Sequence, residues 1–275
     1  MNSKMRFATL AAVALSLISA AGCAKLRARD QLNKGVQAYK NAKYEEAIER
    51  FKNSVSLDPG LLNARLYLAT AYAQQYIPGA DTPDNNQNAE AAIEQYKQVL
   101  SRNPSREQQI NSTKGIAYLY LQMKKFDQAK EYYRKVTGMD PNDPEPYYSV
   151  AVIDWTQAYQ PRMEERAKLG LKPEEPLKDK KVCQKLKDEN SQNIQDGVDN
   201  LNKALQLRPD YDDAMAYLNL MYREKADTEC DDPDARANDL KAADDWVDKT
   251  MATKKAKAAK QTGPGGITTE QPANQ

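Results

Sequence analysis

The chain has 275 residues, 40 of them basic and 39 acidic, and it contains no histidine. The near-neutral balance gives no overall attraction for nucleic acid or anionic lipid. Without histidine, the most common general base, the Ser–His and Cys–His nucleophile pairs and most zinc and copper sites are excluded. No two acidic residues lie in an apolar context that would tune one of them for acid–base work. The composition predicts a chain that is not an enzyme and has no cofactor, no metal and no nucleic-acid partner.

The first 22 residues have the composition of an export signal. Lys4 and Arg6 precede an apolar run over 7–18, which is shorter than the roughly 20 residues that span a bilayer. Small residues then lead to Cys23 in the order Ser-Ala-Ala-Gly-Cys. This segment resembles the lipobox of bacterial lipoproteins, in which the cysteine becomes the first mature residue and carries a lipid, although Ala20 stands where that family prefers Leu. The resemblance implies a signal peptide over 1–22 and lipid attachment at Cys23.

The alternative is ordinary signal cleavage with Cys23 as a bystander. Ala24 follows the cysteine, and in well-studied lipoproteins an Asp at that position retains the protein in the inner membrane. By that analogy the sequence favours the outer membrane, with the protein facing the periplasm. An inner-membrane or soluble periplasmic location is the weaker alternative.

Four segments downstream share one pattern, in which a large apolar residue follows a small residue by four positions and a proline comes eight positions later. Residues four apart share a helix face, and proline ends a helix, so each segment predicts an amphipathic helix with a defined exit. The segments are Ala47/Phe51/Pro59, Ala92/Tyr96/Pro104, Ala129/Tyr133/Pro141 and Gly197/Leu201/Pro209. Each is preceded by a second amphipathic stretch with a small residue, namely Gly35, Ala69, Ala117 or Ala151, and a fifth such stretch follows Pro209.

These units resemble tetratricopeptide repeats, which are 34-residue pairs of antiparallel helices. The resemblance implies an all-α fold, a helical-hairpin solenoid of about five repeats over 23–251. Two repeats have clear insertions near 76–88 and 158–193, and a further apparent insertion lies near 225–237. Within 76–88, Pro78-Gly79 and the residues 83–86 predict a loop.

The insertion around 158–193 lengthens the spacing between repeats by the length of one repeat, so a degenerate repeat is the alternative there. An insertion is preferred because no small/large/proline pattern occurs inside it. The charged run over 162–189 is typical of a solvated loop. Residues 252–275 are Lys/Ala-rich and then Gly/Pro-rich, which predicts a disordered C-terminal tail, with the alternative that the Lys/Ala part extends the last helix.

Cys183 and Cys230 fall in the two later insertions, as loop residues of adjacent repeats. An exported protein meets an oxidising compartment. The sequence therefore predicts a disulfide between Cys183 and Cys230, and the alternative is two free thiols or an intermolecular bridge.

In the repeat family the first helix of each unit lines a concave groove. That register predicts a peptide-binding groove lined by aromatic, aliphatic and hydroxyl side chains: Tyr39, Tyr67, Thr70, Tyr118, Tyr148, Val152, Trp155 and Tyr217. Such side chains anchor extended or apolar peptides. The alternative is that several of them, Trp155 especially, pack under the neighbouring insertion. Leu32 and Val36 stand where a clamp for acidic chaperone tails needs Lys and Asn, so that clamp is excluded.

The sequence as a whole predicts a membrane-anchored periplasmic scaffold for protein–protein interaction in the bacterial cell envelope. Its partners are the membrane, through the N-terminal lipid, and an envelope protein or peptide. Two alternatives remain open. One is an assembly factor, pilotin-like or part of outer-membrane assembly, and the other is a glycan-binding or enzymatic role through 158–193.

Overall fold

The computed structural model describes the backbone of residues 3–172 and 175–261, and the side chains of 22–172 and 175–260. This part of the chain forms ten α-helices and no strand. They are α1 (Ser3–Lys40), α2 (Tyr44–Leu57), α3 (Leu62–Gln75), α4 (Pro83–Leu100), α5 (Arg106–Gln122), α6 (Phe126–Met139), α7 (Pro144–Lys168), α8 (Lys180–Leu207), α9 (Asp212–Ala226) and α10 (Pro233–Gln261). The chain divides into two compact units, unit 1 over Met1–Tyr132 and unit 2 over Tyr133–Gln275.

In unit 1, consecutive helices pack as antiparallel hairpins, α1 with α2 and α3 with α4, and the first helices α1, α3 and α5 also contact one another in that order. The core contains the small and large residues of the repeat pattern, with Ala47, Phe51, Ala92 and Tyr96 all buried. Gly35 shows why the repeat pattern pairs a small residue with a large one, because a Cβ atom at Gly35 would lie 2.5 Å from the Phe51 ring. Close approach of α1 and α2 therefore depends on the missing side chain.

The predicted loop over 83–86 is wrong. These residues form the first turn of α4, with Pro83 at its start and Thr82 as its N-cap, whose side chain accepts a hydrogen bond from the Asn85 backbone N–H. Proline suits this position because the first helical N–H groups have no partner within the helix. The Asn85 side chain is buried and bonds to the backbone of Ile77 and Ala80, so it ties the preceding connection to the helix.

In unit 2, the residues over 158–193 extend α7 and α8 and connect them. The helix α7 runs to Lys168, with Pro161 inside it, and α8 begins at Lys180 behind an N-cap from Asp179. The two helices pack against each other as one long hairpin. Gly197 sits where α8 meets α9, and a Cβ atom there would lie 2.0 Å from Met221 Cε.

The last two helices also depart from the prediction at their ends. The segment over 225–237 is shorter than predicted as a connection, because α9 continues to Ala226 and α10 starts at Pro233. The disordered tail is wrong for 252–261, where the alternative holds: the Lys/Ala-rich part extends the last helix, and α10 continues to Gln261. Lysines in its last turns favour this, since cations stabilise the C-terminal end of a helix. Residues 262–275 of the predicted tail lie outside the described residues.

The N-terminal helix α1 covers both the predicted signal segment and the first helix of repeat one. Residues 1 and 2 and the side chains of the signal segment up to residue 21 lie outside the described part. Among the residues that were described, no helix is long and apolar enough to cross a membrane.

Candidate functional site

The predicted groove residues of unit 1 lie on its first helices, and they differ in how far they are exposed. Tyr67 on α3 stacks on the buried ring of Phe51, with centroids 5.5 Å apart and planes 21° apart. One face of the Tyr67 ring is thus covered, while 39% of the residue stays exposed. Tyr118 on α5 is 51% exposed. These two rings are the accessible aromatic side chains of this face.

Tyr39 and Thr70 are more enclosed. Tyr39 packs edge-on against Tyr44 at 5.4 Å, and burial together with Tyr44 raises the pKa of its hydroxyl. The Thr70 hydroxyl donates to the Leu66 carbonyl at 2.9 Å and lies 3.2 Å from the Tyr96 hydroxyl. Burial raises the pKa of Tyr96, whose hydroxyl thus stays protonated at neutral pH. Thr70 and Tyr39 therefore form the floor of the face and Tyr67 and Tyr118 its accessible part.

In unit 2, three predicted groove residues interlock. Tyr217 of α9 lies 5.5 Å from Tyr148 and 5.5 Å from Trp155, and it stands at 85° to both rings. Tyr148 and Trp155 are seven residues apart on α7, a rise of about 10.5 Å. Tyr217 therefore fills the space between them. Such edge-to-face contacts stabilise packing by about 0.5–1.5 kcal/mol each beyond the buried area.

This aromatic ladder continues at both ends. Tyr148 also packs on buried Tyr211 at 5.0 Å, and Trp155 packs on Tyr159 of the extended part of α7 at 4.8 Å. Burial is the main cause that raises the pKa of Tyr148 and Tyr217. Val152, which lies between Tyr148 and Trp155 in the sequence of α7, is half-buried. The unit 2 residues thus make a half-buried ladder in which each ring covers its neighbour, unlike the open rings of unit 1.

The structure joins Cys183 and Cys230 by a disulfide, with Sγ atoms 2.18 Å apart and Cα atoms 5.4 Å apart. Cys230 lies in the connection between α9 and α10. Cys183 is in the first turn of α8, so its placement in a loop was wrong. The bridge fastens the start of α8 to the turn after α9, and the Cys183 sulfur lies 3.3 Å from the Asp227 carbonyl oxygen. Cys23, the third cysteine, is exposed and unbridged.

A buried ionic cluster lies beside this bridge. Arg162 and Arg166 of α7 both bind Asp227, with nitrogen–oxygen distances of 2.8 and 2.7 Å, and Arg162 also binds Glu224 at 3.1 Å. Arg166 is 1% exposed, and its Nη2 donates to the backbone carbonyls of Lys172 and Glu175. One buried guanidinium therefore holds the end of the α7–α8 hairpin and the turn after α9 together.

Burial raises the pKa of Glu224 to about 7, against the opposing effect of Arg162. Burial alone would lower the pKa of Arg162, but Glu224 and Asp227 raise it above its ordinary value. The sequence interpretation of 162–189 as a solvated charged run was wrong for Arg162 and Arg166. The two arginines are four residues apart and so share one face of α7, which is the only sign of this cluster in the sequence. Their acidic partners lie about 60 residues further along the chain and are identified by the fold alone.

A tetratricopeptide-repeat model matches residues 115–143. Several solved structures are similar over most of the chain. MamA 41-end from Desulfovibrio magneticus RS-1 is 16% identical, with 84% of this chain and 96% of that chain covered and a TM-score of 0.55. A second crystal structure of MamA is 13% identical, with 86% and 97% covered and a TM-score of 0.56.

YrrB, described as a TPR protein with an unusual peptide-binding site, is 12% identical, with 83% and 90% covered and a TM-score of 0.50. No curated protein matches. At these identities the likeness concerns the fold. The repeated helical hairpins, the matching repeat model and these structural relatives together show that the chain has the all-α tetratricopeptide-repeat fold that its sequence predicts.

Proposed function

We propose that this chain is a protein-binding scaffold of the bacterial cell envelope, anchored to a membrane by a lipid on Cys23 and facing the periplasm. The tetratricopeptide-repeat fold is typical of scaffolds for protein–protein interaction, which generally have no catalytic activity. The observation that carries the binding part is the pair of open rings, Tyr67 and Tyr118, on the first helices of unit 1.

Tyrosine suits such a surface because it presents a large rigid area at a small entropic cost. The stack on Phe51 fixes the Tyr67 ring, and the contact with Tyr96 fixes Thr70 in the floor. A rigid floor with open rings fits an extended peptide that places apolar side chains against the rings. YrrB, a structural relative, is described as having a peptide-binding site, which supports a peptide as the ligand class.

The anchor and location rest on the N-terminal segment. A basic start, a short apolar run and small residues before Cys23 favour export and lipid attachment, and Cys23 is exposed. A disulfide between Cys183 and Cys230 forms and persists in an oxidising compartment, which supports the periplasm over the cytoplasm as the location. Radiolabelled palmitate tests the anchor. The wild-type chain takes up label, and a Cys23→Ala chain that also took up label would contradict lipid attachment there.

Photo-crosslinking in the native host tests the binding face. Benzoylphenylalanine replaces Tyr118, and in a matched control it replaces Ile77, which is 64% exposed on the connection between α3 and α4. We expect one discrete envelope protein trapped from position 118 and absent from position 77. Tyr67→Ala in the same chain should reduce the yield several-fold. Equal adducts from both positions, or none from position 118, would contradict the assignment of this face as the binding site. The hairpin over 158–193 would then be the next candidate for the binding site.

A further inference from the structure

The helix α1 runs without a break from Cys23 into the packed body of unit 1. Ala28 is fully buried, and its carbonyl oxygen accepts a hydrogen bond of 2.7 Å from the Ser54 hydroxyl of α2. Five helical steps separate Cys23 from Ala28, a rise of about 7.5 Å. A group carried on Cys23 would thus be joined to unit 1 by a short, rigid piece of helix and not by a flexible tether. This piece, residues 23–29 of α1, is called the stub.

The charged side chains on this stub are all basic. Lys25, Arg27 and Arg29 lie between Cys23 and the first acidic residue, Asp30, and all three are exposed. Asp30 is engaged by Lys34 at 2.8 Å. Within the described part of the chain, no hydrogen bond or ion pair occupies Lys25, Arg27 or Arg29. The stub therefore presents three free positive charges to solvent.

The same edge of unit 1 continues onto two turns. The Ser54–Ala28 hydrogen bond places the end of α2 beside the part of α1 that follows Cys23, so the turn over 58–61 lies at the edge where Cys23 stands. Exposed Arg102, in the turn after α4, donates to the Pro59 carbonyl at 3.4 Å and adds a fourth positive charge. Asp58, the acidic residue of these turns, accepts the Gly60 N–H.

An apolar side chain lies among these charges. Leu26 is 72% exposed, more than any other large apolar side chain in the described part of the chain. Basic side chains around an exposed leucine are the combination that binds the interface of a bilayer, where the apolar side chain enters the headgroup region and the cations meet phosphates. Each basic residue close to an anionic membrane strengthens binding about fivefold.

We propose that this edge of unit 1, defined by Lys25, Leu26, Arg27, Arg29 and Arg102, contacts the phosphate headgroups of anionic phospholipids. The inference rests on the proposed anchor, because a lipid on Cys23 holds the bilayer surface about 7.5 Å from Ala28. Lysine and arginine side chains can span that gap. Membrane contact therefore fixes which edge of unit 1 faces the bilayer.

The test uses the full lipidated chain, purified and reconstituted into vesicles, with benzoylphenylalanine in place of Leu26. One set of vesicles is phosphatidylcholine, and the other is phosphatidylcholine with phosphatidylglycerol at about three to one. Mass spectrometry measures the fraction of chain that carries a crosslinked phospholipid. We expect a several-fold higher fraction with phosphatidylglycerol, lost at high salt because such charges are screened.

The triple variant K25E/R27E/R29E should bring the yield down to that of phosphatidylcholine vesicles. The control K40E/K43E changes exposed Lys40, at the C-terminal end of α1, and exposed Lys43, in the turn that follows it, and should leave the yield unchanged. Equal yields in both vesicles, no effect of the triple variant, or crosslinking of position 26 to a second copy of the chain would overturn the proposal. The intact mass of the same sample reports lipid on Cys23 separately, so a missing anchor is distinguished from a missing headgroup contact.

Discussion

At Gly35, α1 and α2 approach so closely that a single added methyl group meets the buried ring of Phe51 at 2.5 Å. We expect Gly35→Ala to destabilise unit 1 by about 1–2 kcal/mol, since overpacking costs about 1–3 kcal/mol and the helix gains up to about 1 kcal/mol from alanine. Urea unfolding followed by circular dichroism measures the difference.

Gly138→Ala is the matched control, because a Cβ atom there meets nothing within 4 Å. That change should stabilise α6 by about 0.5–1 kcal/mol. Stabilisation by both substitutions would mean that the Phe51 ring moves aside at no cost, contrary to a tightly packed hairpin.

Glu224 gives unit 2 a dependence on pH with a definite sign. Burial raises the pKa of its carboxyl to about 7 from an ordinary value of 4.5. Between these two values the folded state binds more protons than the unfolded state, so the free energy of unfolding falls as pH rises from about 4.5 to 7. This contribution amounts to no more than about 3 kcal/mol.

The Glu224→Gln variant cannot titrate, so it should lack this contribution. The wild-type stability minus that of Glu224→Gln should fall as pH is raised from 5 to 8 in matched urea titrations. A difference that rose over this range would mean that Arg162 dominates burial and keeps the carboxyl ionised.

At the scale of the element, the end of the α7–α8 hairpin depends on Arg166. Its removal leaves buried Asp227 short of one cation and two backbone carbonyls short of a donor. We expect Arg166→Met to cost about 3–5 kcal/mol, the usual loss when one partner of a buried ion pair is removed.

The same variant should expose the connection over 169–179 to trypsin at Lys178, and mass spectrometry identifies the cleavage site. Lys168→Ala is the control, because Lys168 bridges Glu165 with 64% of its own side chain exposed, and such surface pairs contribute about 0–1 kcal/mol. Equal cleavage of the two variants would show that the hairpin is held by packing alone.

The contrast between these elements explains what the sequence could predict. Ala47 and Phe51 lie on α2 and Pro59 lies just after it, so their spacing alone predicts this helix and its exit. The acidic partners of Arg162 and Arg166 lie 61–65 positions further on, and nothing in the local pattern identifies them. The residues 83–86 were misassigned because Pro and Asn favour both turns and the first turn of a helix, and the hydrogen bonds of buried Asn85 decide between the two.

The predicted groove shows the same limit. Register on the first helices places Tyr67, Tyr118, Tyr148 and Trp155 on equivalent faces, but register does not state what covers them. Tyr217 fills the space between Tyr148 and Trp155, whereas Tyr118 stays open. The exposure of a groove side chain depends on which residues of the neighbouring helix cover it, and the sequence of one helix does not contain that information.

At the scale of the whole molecule, two compact units predict separate responses to reduction. Closing a loop across the 47 positions between the bridged cysteines stabilises by roughly 4 kcal/mol in the chain-entropy model. Reduction, or the variant C183A/C230A, should therefore raise hydrogen exchange in 133–261 by a large factor and leave 22–132 nearly unchanged. Exchange that rises equally in both units would indicate that they unfold together.

Three cysteines can pair in three ways, and the unbridged one is Cys23, exposed near the start of the chain. A thiol in that position would be a competitor for Cys183 and Cys230 while the protein matures, since a thiolate attacks any accessible disulfide. The proposed lipid on the Cys23 sulfur would block this competing thiol. It would then leave a single possible pairing, so that the proposed anchor would also protect the Cys183–Cys230 bridge from exchange.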